Sequence, residues 1–413
     1  MTQAAPPGTG APSATTTADG KPLLAGVRVL DFGRYIAGPY CATILGEYGA
    51  EVIRIEKLDG SEDRYTTPIT EDGQGAGFMQ MGRNKLSVTL NPMKEEGREI
   101  VRKLVRTADV VLANLPLQTL EAMGLDYESL KAIKPDIILT HVSAFGPVGP
   151  MATDVGFDGI GQAMSGTLFM GGTPEHPYRA AVNWVDFGTA LHSAFGTLAA
   201  LYERQRSGRG QMVTTSLLGT AISLNNVPLI EQSVIDINRV ASGNRAQSAG
   251  PSDVYRCKDG WLLVQVVGNP LFARWCKLVG EPGWIDDPRF DTDQKRGDNG
   301  EIISERMSRW CAGRTLDEAR RELTEAKVPC GAVLSPQQAL DHPQVRAMGI
   351  LQPVDYPGLP SPAPVARVPI GLSVSGGGIQ RRAPLLGEHT DEVLESLGYD
   401  AAARAGLRER RVI

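Results

Sequence analysis

Three kinds of side chain in this sequence suit covalent or proton-transfer chemistry: carboxylates set among apolar residues, five histidines and five cysteines. Asp186 stands out among the carboxylates. It follows the apolar run Ala180, Ala181, Val182, Trp184 and Val185 and precedes a long helical pattern rich in small residues (FGTALHSAFGTLAALYERQRSGRG). The run reads as a strand and the pattern as a helix. The carboxylate between them is expected to be poorly hydrated and close to helix N–H groups. Two roles fit that place: a dehydrated nucleophile, and a plain helix N-cap, for which Asp is among the favoured residues. Asp158, in the run Gly156-Phe157-Asp158-Gly159, also adjoins apolar and glycine residues.

Other chemistries find less support. Ser143, Ser165 and Ser216 lack the flanking glycines of a nucleophile elbow. His141 falls in a strand pattern and His192 in a helical one, and both read as packed side chains. His176 and His342 sit in loop-like stretches, and His389 in a closing motif. HExxH and EF-hand patterns are absent, and Cys41, Cys257, Cys276, Cys311 and Cys330 are scattered with no CxxC. The expectation is therefore no metal site, no disulfide framework and a reducing cytoplasm. Carboxylates remain as the nucleophile candidates.

The elements that must position them follow from period and punctuation. VRVLDF (27–32) reads as a strand, then a helix opened by Pro39, then EVIRIE (51–56) as a second strand, which makes a βαβ unit with a right-handed crossover. KLSVTL (85–90), DVVLANL (109–115) and IILTHVSAF (137–145) continue the strands, with helical stretches between them. Alternation of this kind predicts an open, mostly parallel α/β sheet. The loop 33–38 (GRYIAG) has neither GxGxxG nor the Gly-Lys-Ser/Thr of a P-loop, which disfavours a nicotinamide or nucleoside-triphosphate site. After about residue 225 the character changes to a hairpin around Asp259-Gly260 and three amphipathic helical stretches, a smaller α+β module. The predicted layout is a tail over 1–22, a large domain over 23–224, a small one over 225–330, and a return to the large domain over 331–413 that includes the proline-rich 357–369.

Composition sets outer bounds. With 413 residues, 42% apolar and 22% charged, the chain suits two globular domains. A net charge of -5 gives no electrostatic argument for nucleic acid. No run of about 18 apolar residues suggests a bilayer span, and the small, Pro/Gly/Thr-rich start has no h-region of a signal peptide.

Several motifs in order then carry a resemblance. LAGVRVLDF…AGP…LGEYGAEVIRIEK, GRNKLSVTLN, ADVVLANL…LEAMGLDYESLKAIKPDIILTHVSAFGPVGP, FDGIGQAMSG, VDFGTALHSAFGTLAALYERQRSGRGQMV and APLLGEHTDEVL resemble the family III CoA-transferases (CaiB/BaiF type) over about residues 23–399. The resemblance implies a Rossmann-like large domain, a smaller domain and an interlocked homodimer. It makes Asp186 the catalytic nucleophile, acylated and then carrying CoA as a thioester. It implies acyl-CoA and a small carboxylic acid as substrates, with no tightly bound cofactor. Lys57, Arg83, Asn84, Lys85, Asn114 and Met123 occupy the stretches that would hold coenzyme A. Tyr35, Ile36, Ala37, Phe157 and Asp158 would line the acid's side of the site.

Departures from the family pattern narrow the reading. Racemases of the superfamily carry histidine where this chain has Phe157, which cannot transfer a proton, so α-carbon racemisation is the disfavoured alternative. Oxalate-specific members carry glutamine where Ile36 stands, so a more hydrocarbon acid is expected. Arg34 and Arg179 suit the distal carboxylate of a dicarboxylic acid such as succinate, and the loop 243–250 falls where the family has a mobile lid.

Overall fold

The computed structural model describes residues 22–413, so the expected tail, apart from Pro22, lies outside the described residues. Six parallel strands form the main sheet: β1 (Arg28–Asp31), β2 (Glu51–Glu56), β3 (Lys85–Thr89), β4 (Val110–Ala113), β5 (Ile138–Ser143) and β6 (Met212–Ser216). Their order across the sheet is β3-β2-β1-β4-β5-β6. The order reverses between β1 and β4. In open α/β sheets a crevice forms at such a reversal, outside the carboxyl ends of the strands.

The continuous apolar runs of these strands follow from burial on both faces. Leu30, Ile53, Val111 and Leu139 point into a core under the helices Glu95–Thr107, Leu117–Met123 and Tyr127–Ile133. Their neighbours Val29, Val52, Val110, Leu112 and Ile138 point the other way, into a core with the helices Ala37–Glu47 and Trp184–Ser207. The small residues of the Trp184–Ser207 helix serve a second purpose. Thr189, Ser193 and Thr197 each return a hydroxyl to the carbonyl four residues back, at 2.7–2.8 Å. Two of these hydroxyls also meet strand hydroxyls, Thr197 with Thr140 and Ser193 with Thr215, both at 2.7 Å. The helix is thereby pinned to β5 and β6.

Two local expectations are corrected. The run Ala180–Val185 forms no strand; Trp184 already opens the helix, so Asp186 lies in the first helical turn. Pro39 is the third residue of its helix, which starts at Ala37. The strand β6 and the helix Ala401–Glu409 carry too little continuous apolar pattern to have been read from the sequence.

The chain divides into two compact units. The first holds the main sheet and takes in Val182–Asn226 and Gln344–Ile413; the second comprises Gly166–Ala181 and Val227–Pro343. Within the second, β7 (Ser252–Arg256), β8 (Trp261–Gln265) and β9 (Cys330–Ala332) pair antiparallel. They cover a core of Phe272, Trp275, Met307 and Leu323 from the amphipathic helices, with Phe290 from the segment between two of them. The helix Leu316–Glu325 starts with a capping box, Thr315 with Glu318. No helix among the described residues is long and apolar enough to cross a membrane.

Candidate active site

A cavity of about 210 Å³ opens over the carboxyl ends of β1, β4 and β5, at the reversal of strand order. Its walls come from residues 34–37 after β1, 114–118 after β4, 141–144 at the end of β5 and 152–157, with Asp186 among them. Asn114 holds the two sides of the reversal together. Its Oδ1 accepts the Arg34 N–H at 2.7 Å and its Nδ2 donates to the Arg34 carbonyl at 2.8 Å. The β1 loop therefore cannot drift from β4. Tyr35 in that loop has a φ of +62°, an uncommon conformation for a non-glycine residue. Its ring meets Phe157 edge-on at 5.5 Å across the cavity mouth.

The loop is also fixed from below by buried charge. Asp31 accepts the Gly33 N–H at 2.8 Å and the Lys85 ammonium at 2.8 Å. Lys85 donates again to the Pro39 carbonyl at 2.7 Å, and Arg54, held by Asp63 at 2.8 and 3.0 Å, sits beside them. Gly33 itself has no room for a side chain: a Cβ would lie 2.7 Å from Asp31 Oδ1 and 2.8 Å from Pro39.

Asp186 occupies the third position of the Trp184–Ser207 helix and is about 9% exposed. Among the described residues its carboxylate accepts no hydrogen bond from the helix N-terminus. That task falls to Asp158, whose Oδ2 accepts the N–H groups of Val185 at 2.8 Å and Asp186 at 3.1 Å. Gln162 Nε2 donates to the other Asp158 oxygen at 2.5 Å. So the helix N-terminus is satisfied by a carboxylate from a neighbouring helix, and the alternative role considered for Asp186 is already filled. Burial, the larger cause, and the nearby Asp158 charge together raise the Asp186 carboxyl to a pKa of about 7. A carboxylate stripped of hydration and without a donor of its own among the described residues is more basic and more nucleophilic than one in water.

The other sequence-predicted residues fall into three groups. Tyr35, Ile36, Ala37, Asn114 and Phe157 line the same cavity as Asp186, while Asp158 lies buried behind it as the helix cap. Lys57 and Met123 line a second cavity of about 440 Å³, over the carboxyl ends of β1, β2 and β3. Arg34 and Leu115 line both cavities, so the two adjoin. Arg83, Asn84 and Lys85 face neither. Arg83 is buried against Glu47, with its Nε 2.6 Å from the carboxylate, and Lys85 against Asp31. Their charges neutralise interior carboxylates. Asn84 accepts the N–H groups of Gln380 at 2.7 Å and Arg381 at 2.9 Å, a backbone clamp.

His141, read from sequence as a packed residue, is buried yet contributes to the wall of the Asp186 cavity. Its Nε2 lies 2.9 Å from the Leu115 carbonyl and must donate, which leaves Nδ1 as the basic nitrogen. Burial lowers its pKa and keeps the ring neutral. No group of three potential metal ligands occurs among the described residues. Arg179 and residues 243–250 belong to the second unit, where the Gly243 N–H meets the Gly172 carbonyl at 2.6 Å.

Comparison with known proteins gives a consistent family. The model of CoA-transferase family III matches residues 24–390. The chain is 33% identical to the succinyl-CoA–D-citramalate CoA-transferase of Chloroflexus aurantiacus, covering 94% of this chain and 97% of that one. It is 31% identical to the formyl-CoA:oxalate CoA-transferase of Rhodopseudomonas palustris, covering 94% and 96%. Among solved structures, a CaiB/BaiF family protein from Brucella suis superposes with a TM-score of 0.80 at 30% identity, over 91% of this chain and 99% of that one.

Proposed function

The chain belongs to CoA-transferase family III, and on that premise we propose that it moves CoA from an acyl-CoA to a free carboxylic acid through covalent adducts of Asp186. One observation carries this reading: a buried carboxylate, without a hydrogen-bond donor among the described residues, stands in the wall of the cavity at the strand-order reversal.

Each step balances on that side chain. An Asp186 oxygen attacks the thioester carbonyl, the C–S bond breaks, and CoA leaves as thiolate, giving a mixed anhydride. The thiolate then attacks the Asp186 acyl carbon and expels the donor's acid as carboxylate, leaving an aspartyl-CoA thioester. The acceptor carboxylate attacks that thioester to form a new anhydride, and the returning thiolate takes the acceptor's acyl group. Asp186 is regenerated with a thioester made for the thioester consumed, so no other energy source is needed. The dry wall removes the hydration that would blunt the first attack, and the fixed loop holds the reacting carbonyl in line.

The acid is assigned to the Asp186 cavity. There Ile36, Val155 and Phe157 suit a hydrocarbon portion, and Arg34 suits a second carboxylate. The relatives named for succinyl-CoA with citramalate and for oxalate act on dicarboxylic acids, which supports a dicarboxylic acceptor here. Ile36 favours a longer one than oxalate. The nucleotide half of CoA is assigned to the second cavity beside Lys57 and Met123, with the pantetheine arm passing Arg34 and Leu115. The working form is a homodimer in the cytoplasm.

The test is chemical. Incubation with acyl-CoA and hydroxylamine is expected to leave a hydroxamate on one peptide, the one that contains Asp186, as read by mass spectrometry. Full transfer activity in an Asp186→Ala variant would sink the reading.

A further inference from the structure

One wall of the second cavity comes from Arg411, far in sequence from the strand ends that make the rest. The helix Ala401–Glu409 ends there in a defined cap. The Arg411 N–H reaches the Arg408 carbonyl at 2.8 Å, and the Val412 N–H reaches the Leu407 carbonyl at 2.8 Å. That pair of bonds is a Schellman motif, whose left-handed position is normally glycine. Here the position is an arginine with φ +54°. A side chain kept where glycine is the comfortable choice calls for a function.

The surroundings hold this arginine at the cavity rim. Val412 and Ile413 are buried in the same core as Leu407, and the Asn91 N–H meets the Val412 carbonyl at 2.8 Å. Asn91 lines the cavity too. Neighbouring arginines are spoken for: Arg408 pairs with Asp391 and Arg410 with Glu96, both at 2.7 Å, and Arg404 with Asp391 at 3.2 Å. Lys57 and Arg34 both pair with Glu62, and Lys94 donates to the Arg410 carbonyl. The Arg411 guanidinium has no such partner among the described residues. Asp59 is the free carboxylate on the rim, so the balance of charge around the cavity stays positive.

Resting on the assignment of the nucleotide half to this cavity, we infer that Arg411 binds the 3′-phosphate of the CoA ribose. The strand order supports that end of the molecule. Arg411 is tied to the loop after β3, the strand farthest from β4 and β5, where the Asp186 cavity lies. The far end of the crevice takes the part of the carrier farthest from the thioester. A planar guanidinium suits a terminal phosphate through paired N–H donors.

Binding of CoA and of dephospho-CoA to the full chain, by calorimetry, tests this. Wild type is expected to prefer CoA by on the order of tenfold or more, the scale of a charge-assisted hydrogen bond. Arg411→Gly should remove most of that preference while raising the melting temperature, because glycine relieves the left-handed backbone; Arg411→Lys should restore part of it. An unchanged preference in Arg411→Gly would overturn the assignment. Thr119→Trp, which fills the same cavity, separates the two premises. If it leaves the affinity for both ligands intact, the nucleotide lies elsewhere and the inference falls with that reading. If it weakens both while Arg411→Gly keeps the preference, the role of Arg411 alone is lost.

Discussion

At the scale of single residues, the site trades stability for reactivity at Asp186. Its carboxyl titrates near 7 in the folded chain, against about 4 for an ordinary aspartate. The folded state therefore holds a proton that the unfolded state has released between these values. The stabilisation from that proton is fully present below about pH 4 and is lost as pH rises through about 7. Asparagine stays neutral throughout. Asp186→Asn should then match wild type near pH 4 and exceed it at pH 8 by on the order of 2–4 kcal/mol in urea unfolding, while transfer activity is lost. Equal stabilities at pH 8 would mean that the carboxylate is better solvated than its 9% exposure implies. The ion pairs of Arg83 and Lys85 were not legible in the sequence. Charges flanking short apolar strands read as surface groups. Their partners, Glu47 and Asp31, lie 36 and 54 residues away, and no local pattern announces such pairs.

Among the elements, the informative one is the pair of helix starts at Asp158 and Trp184. The sequence shows two carboxylates beside small residues but not which of them caps. The answer depends on how Asp158–Met164 is packed against Trp184–Ser207, and that packing brings Asp158 to the N–H groups of Val185 and Asp186. The parallel strands β1 to β5 were readable because doubly buried strands are continuous apolar runs. The short run Ala180–Val185 had the same look and became a bend and a helix start, since length is the main guide for such segments. The half-buried β6 offered no run at all. The cap has a kinetic consequence. The rising limb of kcat/KM against pH should reflect Asp186, near 7 in the free enzyme. Asp158→Asn keeps an oxygen for the helix N–H groups but removes the charge, so the limb should move to lower pH. It should stop well above 4, because burial is the larger cause of the shift. A limb that stays in place in this variant would show that the two carboxyls do not sense each other.

For the whole molecule, the long helix carries an exposed apolar stripe that the proposed second copy of the chain would cover. Leu191, Phe195, Leu198 and Tyr202 follow one another at helical spacing on Trp184–Ser207, and all are exposed, Phe195 by 74% and Tyr202 by 65%. The opposite side of this helix is packed on the sheet, so the helix is apolar nearly all round, a pattern that belongs to a buried element. Such a stripe in water marks an interaction surface. It lies on the helix that carries Asp186 in its first turn, so covering it would also stiffen the helix that presents the nucleophile. Light scattering is expected to give twice the chain mass for wild type at micromolar concentration. Phe195→Glu should shift the protein toward monomer and lower kcat, because a buried charge without a partner is strongly unfavourable at such an interface. A wild-type monomer with full activity would leave the apolar stripe unexplained and would remove the second copy from the reaction.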